Sequence, residues 1–276
     1  MSRLNWRRAA WILLLALTAF LSVSGIVVAH KGLIAMQTDP KQWVMPNGSY
    51  SGWNYSALDQ INLTNVQNLS MAWSFQLGIL DAHEASPLVI GNTMYIVTPK
   101  PNYVYALDLT RDGVIKWEFR PEMPQIEAAT KAACCGAQTR GLAYADGKIF
   151  YSTLDGQVFA LNSENGKVVW RAETANLAAG ETVSAMPLVV GDKVIIGVMG
   201  GERGVRGHIT AFNIETGSMR WRYYSMGPNN EVGIGPRFKP FYPTTSFPIR
   251  RSTPGTETPG NAAAETFGVG IPSTRS

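Results

Sequence analysis

Two stretches of the chain combine side chains and backbone freedom suited to chemistry. Cys134 and Cys135 are its only cysteines and are adjacent. An oxidising compartment would let them pair, but neighbouring residues reach disulfide geometry only with backbone strain. A plain structural staple would not be placed there. The second stretch is Gly200-Gly201-Glu202-Arg203-Gly204-Val205-Arg206-Gly207. Its glycine content suits a phosphate-cradling loop, but a strand pattern precedes it and another follows, whereas a phosphate loop opens a helix. His30, His83 and His208 are too few and too scattered to make a zinc site.

The elements that must position these residues show themselves as a repeat. Ala106-Leu107-Asp108 leads to Gly113 and Trp117, Ala160-Leu161-Asn162 to Gly166 and Trp170, and Ala211-Phe212-Asn213 to Gly217 and Trp221. The tryptophans are 53 and 51 residues apart. Each unit opens with two short apolar strands, Leu88–Ile90 and Met94–Val97, Leu142–Tyr144 and Ile149–Ser152, Leu188–Val190 and Val194–Gly197. Between them lie Gly91-Asn92, Asp146-Gly147 and Gly191-Asp192, residues that tolerate the positive φ of tight hairpins. Four short strands per unit at a period of about 50 residues predict the blades of an all-β propeller rather than a helical array. Met71-Ala72-Trp73-Ser74-Phe75 reads as one further strand lacking its first three partners.

Composition narrows the class. At 45% apolar and 16% charged residues the chain is ordinary for a packed globular protein. Its net charge of +4 is spread along the sequence, with Arg3, Arg7 and Arg8 at the extreme N-terminus, so nothing points to a nucleic-acid partner. Those arginines precede an apolar run from Ala9 to Val28, the order of a secretory signal. The same run is long enough for an uncleaved anchor. Residues 1–30 are therefore a signal peptide or anchor, any membrane contact is confined to them, and the rest of the chain is expected outside the cytoplasm. From 243 to 276 the blade pattern stops, and a Pro, Thr, Gly, Ala and Ser-rich segment reads as unstructured.

Several blocks together resemble the pyrroloquinoline quinone (PQQ)-dependent methanol/ethanol dehydrogenase family. They are Tyr55-Ser56-Ala57-Leu58-Asp59-Gln60-Ile61-Asn62, Asn65-Val66 and Ala72-Trp73, His83-Glu84-Ala85-Ser86-Pro87-Leu88-Val89, Cys134-Cys135, and the Gly200–Gly207 block, spread in family order over residues 43–242. The resemblance implies an eight-bladed propeller, of which three to four blades are present here. It also implies PQQ on the propeller axis against a Ca²⁺ or lanthanide ion. Cys134 and Cys135 would then form a strained disulfide over one face of the cofactor. Glu84 and Arg140 match positions that hydrogen-bond its quinone and carboxylate oxygens, Ser184 stands where the family has a Thr hydroxyl, Gly200 and Gly201 fall among the cofactor-binding positions, and Glu202 matches the metal-ligating Glu that follows them. An Arg and a hydroxyl suit a tricarboxylate, and a hard cation takes carboxylate oxygen. Met199 departs from the pattern: a Ser donor is usual there, a thioether cannot donate, and weaker PQQ affinity is expected. By general burial statistics alone Glu84 would be a solvated rim residue, and Arg140 and Ser184 ordinary surface or turn residues.

The activity implied is oxidation of a small primary alcohol, with electrons passed to a cytochrome c. The family's catalytic base, an Asp, would lie downstream of the last residue, so an incomplete and inactive chain is expected. Synonymous codons exist for Glu257 to Arg275 that, read in a shifted frame, give Asp-Ala-Trp-Lys-Arg-Gly-Gly-Gly-Asn-Val-Trp-Gly-Trp, one unspecified residue, then Ser-Phe-Asp-Pro, a string like the family's tryptophan segment, which makes 243–276 an expected out-of-frame tail. The alternative is a non-enzymatic periplasmic propeller scaffold, which shares the repeat and the export signal. Such a scaffold has no need of Cys134-Cys135 or of Glu202.

Overall fold

The structure, a computed structural model, describes residues 29–134 and 136–235. The predicted leader, the tail and Cys135 lie outside the described residues. Twelve strands form three four-stranded antiparallel meanders: β1 (Leu88–Ile90), β2 (Thr93–Val97), β3 (Val104–Asp108) and β4 (Val114–Phe119); β5 (Ala143–Ala145), β6 (Lys148–Ser152), β7 (Gln157–Asn162) and β8 (Val168–Glu173); β9 (Leu188–Val190), β10 (Lys193–Val198), β11 (His208–Asn213) and β12 (Met219–Tyr224). These are the three blades the repeat predicts, and the arrangement is part of a β-propeller. Strand ends differ by a residue, because the pairing of Thr93 with Ile90, Lys148 with Ala145 and Lys193 with Val190 draws those polar residues into the ladders.

The repeated residues have repeated causes. Asp108, Asn162 and Asn213 each turn a side-chain oxygen back to accept from a backbone N–H two residues on, at 2.9, 2.9 and 3.1 Å, which reverses the chain before the fourth strand. The ladder slips by one residue at Ala106/Leu107, at Ala160/Leu161 and at Ala211/Phe212, a bulge that turns each outer strand. The glycine after each turn has positive φ and lies under the tryptophan of the preceding unit. A Cβ on Gly113, Gly166 or Gly217 would come within 2.6 Å of the ring of Trp73, Trp117 or Trp170. Trp117 and Trp170 then donate Nε1–H to Ser163 O at 2.9 Å and Ile214 O at 3.0 Å. One aromatic clasp thus joins each blade to the next.

Trp73 makes this clasp without being in a strand. No strand is present over residues 71–75, in contrast to the expectation, because this segment has no hydrogen-bonded neighbour among the described residues. An element that the strand pattern did not predict is an N-terminal strap. Helix α1 (Lys31–Met36) starts at His30, whose Nε2 meets Asp146 Oδ2 at 3.0 Å. Trp43 then pairs antiparallel with Val89, and Tyr50 donates its hydroxyl to Val189 O at 2.7 Å. One stretch of about twenty residues therefore touches all three blades, and Leu33, Val44 and Met45 enter the core between the second and third.

Candidate functional site

The first strands of neighbouring blades lie close together, with β5 against β9, while β4, β8 and β12 are largely exposed. The segments that lead into β1, β5 and β9 therefore converge on one inner rim. Glu84, Arg140 and Ser184 occupy these segments, three or four residues before the first strand of each blade. The repeat itself brings together three residues separated by a hundred positions.

Their contacts are mutual. Arg140 Nε lies 3.3 Å from Glu84 Oε2, and the guanidinium also donates to the Ser184 hydroxyl. Backbone links hold the rim: Ser86 bridges Gly141, and Arg140 N donates to Ser184 O at 3.2 Å. Glu84 is a rim residue with its side chain 41% exposed, as burial statistics suggest, but it is paired rather than merely solvated. Ser184 is buried, which a turn hydroxyl need not be.

Met199 and the glycine block lie beside this rim. Thr182 and Met199 exchange both backbone hydrogen bonds, at 3.1 and 3.0 Å, and Met199 Sδ is 3.5 Å from Ser184 Oγ. The thioether can only accept from that hydroxyl. Gly200 follows with φ +156°, and a Cβ there would meet Gly180 O and Val205 Cβ at 3.2 Å. Close backbone approach therefore requires glycine at 200, whereas Gly201 has open space around it. Gly201–Arg203 is a single 3₁₀ turn that presents Glu202 to solvent. Arg203 ties this turn to the end of helix α2 (Ile126–Ala132), donating to Lys131 O at 2.7 Å and Ala132 O at 3.3 Å. Those carbonyls immediately precede Cys134, so the cysteine segment and the Glu202 turn are neighbours. The predicted pairing of Cys134 with Cys135 lies outside the described residues.

An open cleft of about 610 Å³ adjoins the rim, lined among others by Arg140, Ser184, Met199, His208, Tyr223 and Tyr224. Its size is that of a small-molecule site. Sequence reasoning missed His208 and its neighbour Glu181. His208 was visible only as a residue following the glycine block, and Glu181 lies 27 positions earlier with no spacing signal to join them. Among the described residues no three metal-ligating side chains cluster, around Glu202 or elsewhere.

Fold and site together define a propeller segment whose inner rim gathers a guanidinium, a hydroxyl and carboxylates beside a ligand-sized cleft. Residues 43–237 match the family model described as PQQ: glucose/ethanol/alcohol dehydrogenase, beta-propeller domain, and the chain belongs to that family. It is 47% identical over 231 residues to the lanthanide-dependent methanol dehydrogenase of Methylacidiphilum fumariolicum (strain SolV), covering 83% of this chain and 38% of that protein. It is 42% identical over 223 residues to methanol dehydrogenase (cytochrome c) subunit 1 of Methylobacterium organophilum, covering 79% and 35%. Among solved structures a europium-containing methanol dehydrogenase superposes with a TM-score of 0.71 at 50% identity, covering 74% of this chain and 35% of that one. The chain spans just over a third of the length of these two curated relatives.

Proposed function

We propose that this chain builds one wall of the PQQ site of an exported, metal-dependent alcohol dehydrogenase that oxidises small primary alcohols and passes electrons to a cytochrome c. The observation that carries the reading is the meeting of Glu84, Arg140 and Ser184, from equivalent places in three blades, beside one cleft. The donor set suits the cofactor: a guanidinium matches carboxylate and quinone oxygens with charge-assisted hydrogen bonds, and the Ser184 hydroxyl would donate on turning its one hydrogen away from Met199 Sδ. When bound, PQQ supplies the electrophilic carbonyl that accepts hydride from the alcohol.

The chain's own residues bind and orient. Glu84 holds Arg140 over the rim through their 3.3 Å ion pair, so the guanidinium's remaining N–H groups are already aimed. Ser184 bridges Arg140 and Met199. Glu202 would give one oxygen to a Ca²⁺ or lanthanide ion. Such ions take six to eight oxygens, by the general behaviour of hard cations, so Glu202 is one ligand of a set the described residues do not complete. Export rests on the N-terminal pattern; no described helix is long and apolar enough to cross a membrane.

Titration of the full chain with PQQ, followed by quinone absorbance, tests the reading. Saturable binding is expected, and Arg140→Leu should weaken it about tenfold or more, the worth of a charge-assisted hydrogen bond. If the wild-type chain shows no saturable binding, or if Arg140→Leu binds equally well, the reading fails and a non-enzymatic scaffold becomes the better description.

A further inference from the structure

Behind the Glu202 turn runs a buried polar chain that the cofactor reading does not use. The His208 side chain is fully buried at the start of β11, beside the cleft. Its Nδ1 lies 3.2 Å from Thr210 Oγ1, and that same oxygen accepts from Arg222 Nε at 2.9 Å. With a lone pair of the threonine oxygen taken by Arg222, its own hydrogen is free to be donated, and the imidazole Nδ1 is the acceptor that faces it. The acceptor-only Glu181 carboxylate facing the far side of the ring favours the proton on Nε2. This nitrogen has no hydrogen-bond partner within ordinary reach and points to Glu181 Oε2 at 3.6 Å.

Glu181 in turn is built into the backbone that carries the turn. Its Oε2 accepts from Asn176 N at 2.6 Å and its own N–H donates to Asn176 O at 3.2 Å. Gly180 O and Glu181 Cα form the surface on which Gly200 lies without room for a Cβ, and the next residue, Thr182, is paired with Met199. Hydrogen bonds thus lead from Arg222 through Thr210 to His208, and a 3.6 Å electrostatic contact then carries the line to Glu181 and to the strand end that delivers Gly200, Gly201 and Glu202.

We propose that His208 is a positioning residue that holds the Gly200–Glu202 turn in place through Glu181. Its functional weight rests on the cofactor reading above. Neutral imidazole is the form that serves here, since a second ring proton would remove the Nδ1 acceptor that Thr210 addresses. Burial, helped by the positive charge of Arg222 and opposed by Glu181, pushes the imidazole below its usual value and keeps it neutral.

Amide hydrogen exchange on the full chain tests this without any quinone. The amides of Glu181, Thr182, Met199, Arg203, Gly204 and Val205 donate to backbone carbonyls in or beside the two segments, so their local opening can be read. His208→Leu should speed exchange there about tenfold or more, as expected when a buried polar link is cut, while β6 and β7 keep their rates. His208→Gln, whose amide nitrogen can reach toward Glu181, should restore the wild-type pattern. Thr210→Val keeps the imidazole but removes its orienting partner, and should loosen the same two segments to a smaller extent. Should His208→Leu prove too unstable to measure, the other two variants decide. Unchanged exchange at 199–205 in His208→Leu or Thr210→Val overturns the proposal, as does an even rise through β9–β12 or a His208→Gln variant with the turn loosened. A failed quinone titration leaves these rates unaffected, so the two readings fail separately.

Discussion

At the residue scale the site is a set of small electrostatic choices, and two of them can be measured. The family resemblance puts a donating hydroxyl where this chain has Met199, whose sulfur only accepts from Ser184 at 3.5 Å. Met199→Ser should therefore tighten PQQ binding, by up to about tenfold for one added hydrogen bond; quinone titration would show it, and equal or weaker binding would mean that position 199 does not face the cofactor. The second choice is the neutral His208. It is faced by Glu181, by Arg222 and by the edge of Tyr224, over whose ring Arg206 sits at 4.1 Å. A histidine whose folded value is lowered contributes stability that is complete above the ordinary histidine value and is lost as pH falls through the folded one. Melting temperature should accordingly fall as pH is lowered from about 7 to 5, and His208→Gln should flatten that dependence. Glu84, Arg140 and Ser184 had no periodicity of their own to announce them; family resemblance named them, and the structure adds that the repeat places them in register. His208 and Glu181 were illegible, because what joins them is a strand crossing and not a spacing.

At the scale of the element, the repeat was legible because each conspicuous residue has a local cause: an Asx turn at Asp108, Asn162 and Asn213, a bulge two residues or fewer before it, and a glycine under the preceding tryptophan. What could not be read was the strap over residues 30–50, whose anchors His30, Trp43 and Tyr50 bind three different blades and follow no period. The clasp makes a prediction that separates strain from crowding. Gly166 and Gly91 both have positive φ, at +71° and +57°, but a Cβ at 166 meets the Trp117 ring at 2.6 Å whereas one at 91 meets nothing within 4 Å. Left-handed strain costs an alanine about 1–2 kcal/mol, and overpacking adds about 1–3 kcal/mol. Gly166→Ala should thus be more destabilising than Gly91→Ala by about the second amount, read from urea midpoints at constant slope. Equal losses would mean that the tryptophan swings away at no cost.

At the scale of the whole molecule, equivalent positions report which faces are covered. Leu88 and Leu142 are each 0% exposed, while their counterpart Leu188 is 40% exposed; Val104 and Val158 are 0% exposed, while Ile209 is 46% exposed. Trp117 and Trp170 are each 8% exposed, and Trp221, which lies over no following blade among the described residues, is only half-buried. The third blade therefore presents the apolar face that the first two hide against a neighbour. On the other side, the segment before β1 covers the first blade with loop alone, leaving Met71 81% and Leu80 fully exposed. Blades stacked in this way draw stability from their neighbours nearly additively, and among the described residues only the second blade has a complete blade on both sides. Amide exchange should consequently be slowest in β6 and β7, which hold the fully buried Ile149, Phe150, Tyr151 and Leu161, and faster in β10 and β11 despite their equally regular ladder. Protection in β10 and β11 equal to that of the middle blade would mean that something covers the third face in solution. A light-scattering mass would then distinguish a second copy of the chain from a monomer whose remaining residues fold back onto that face.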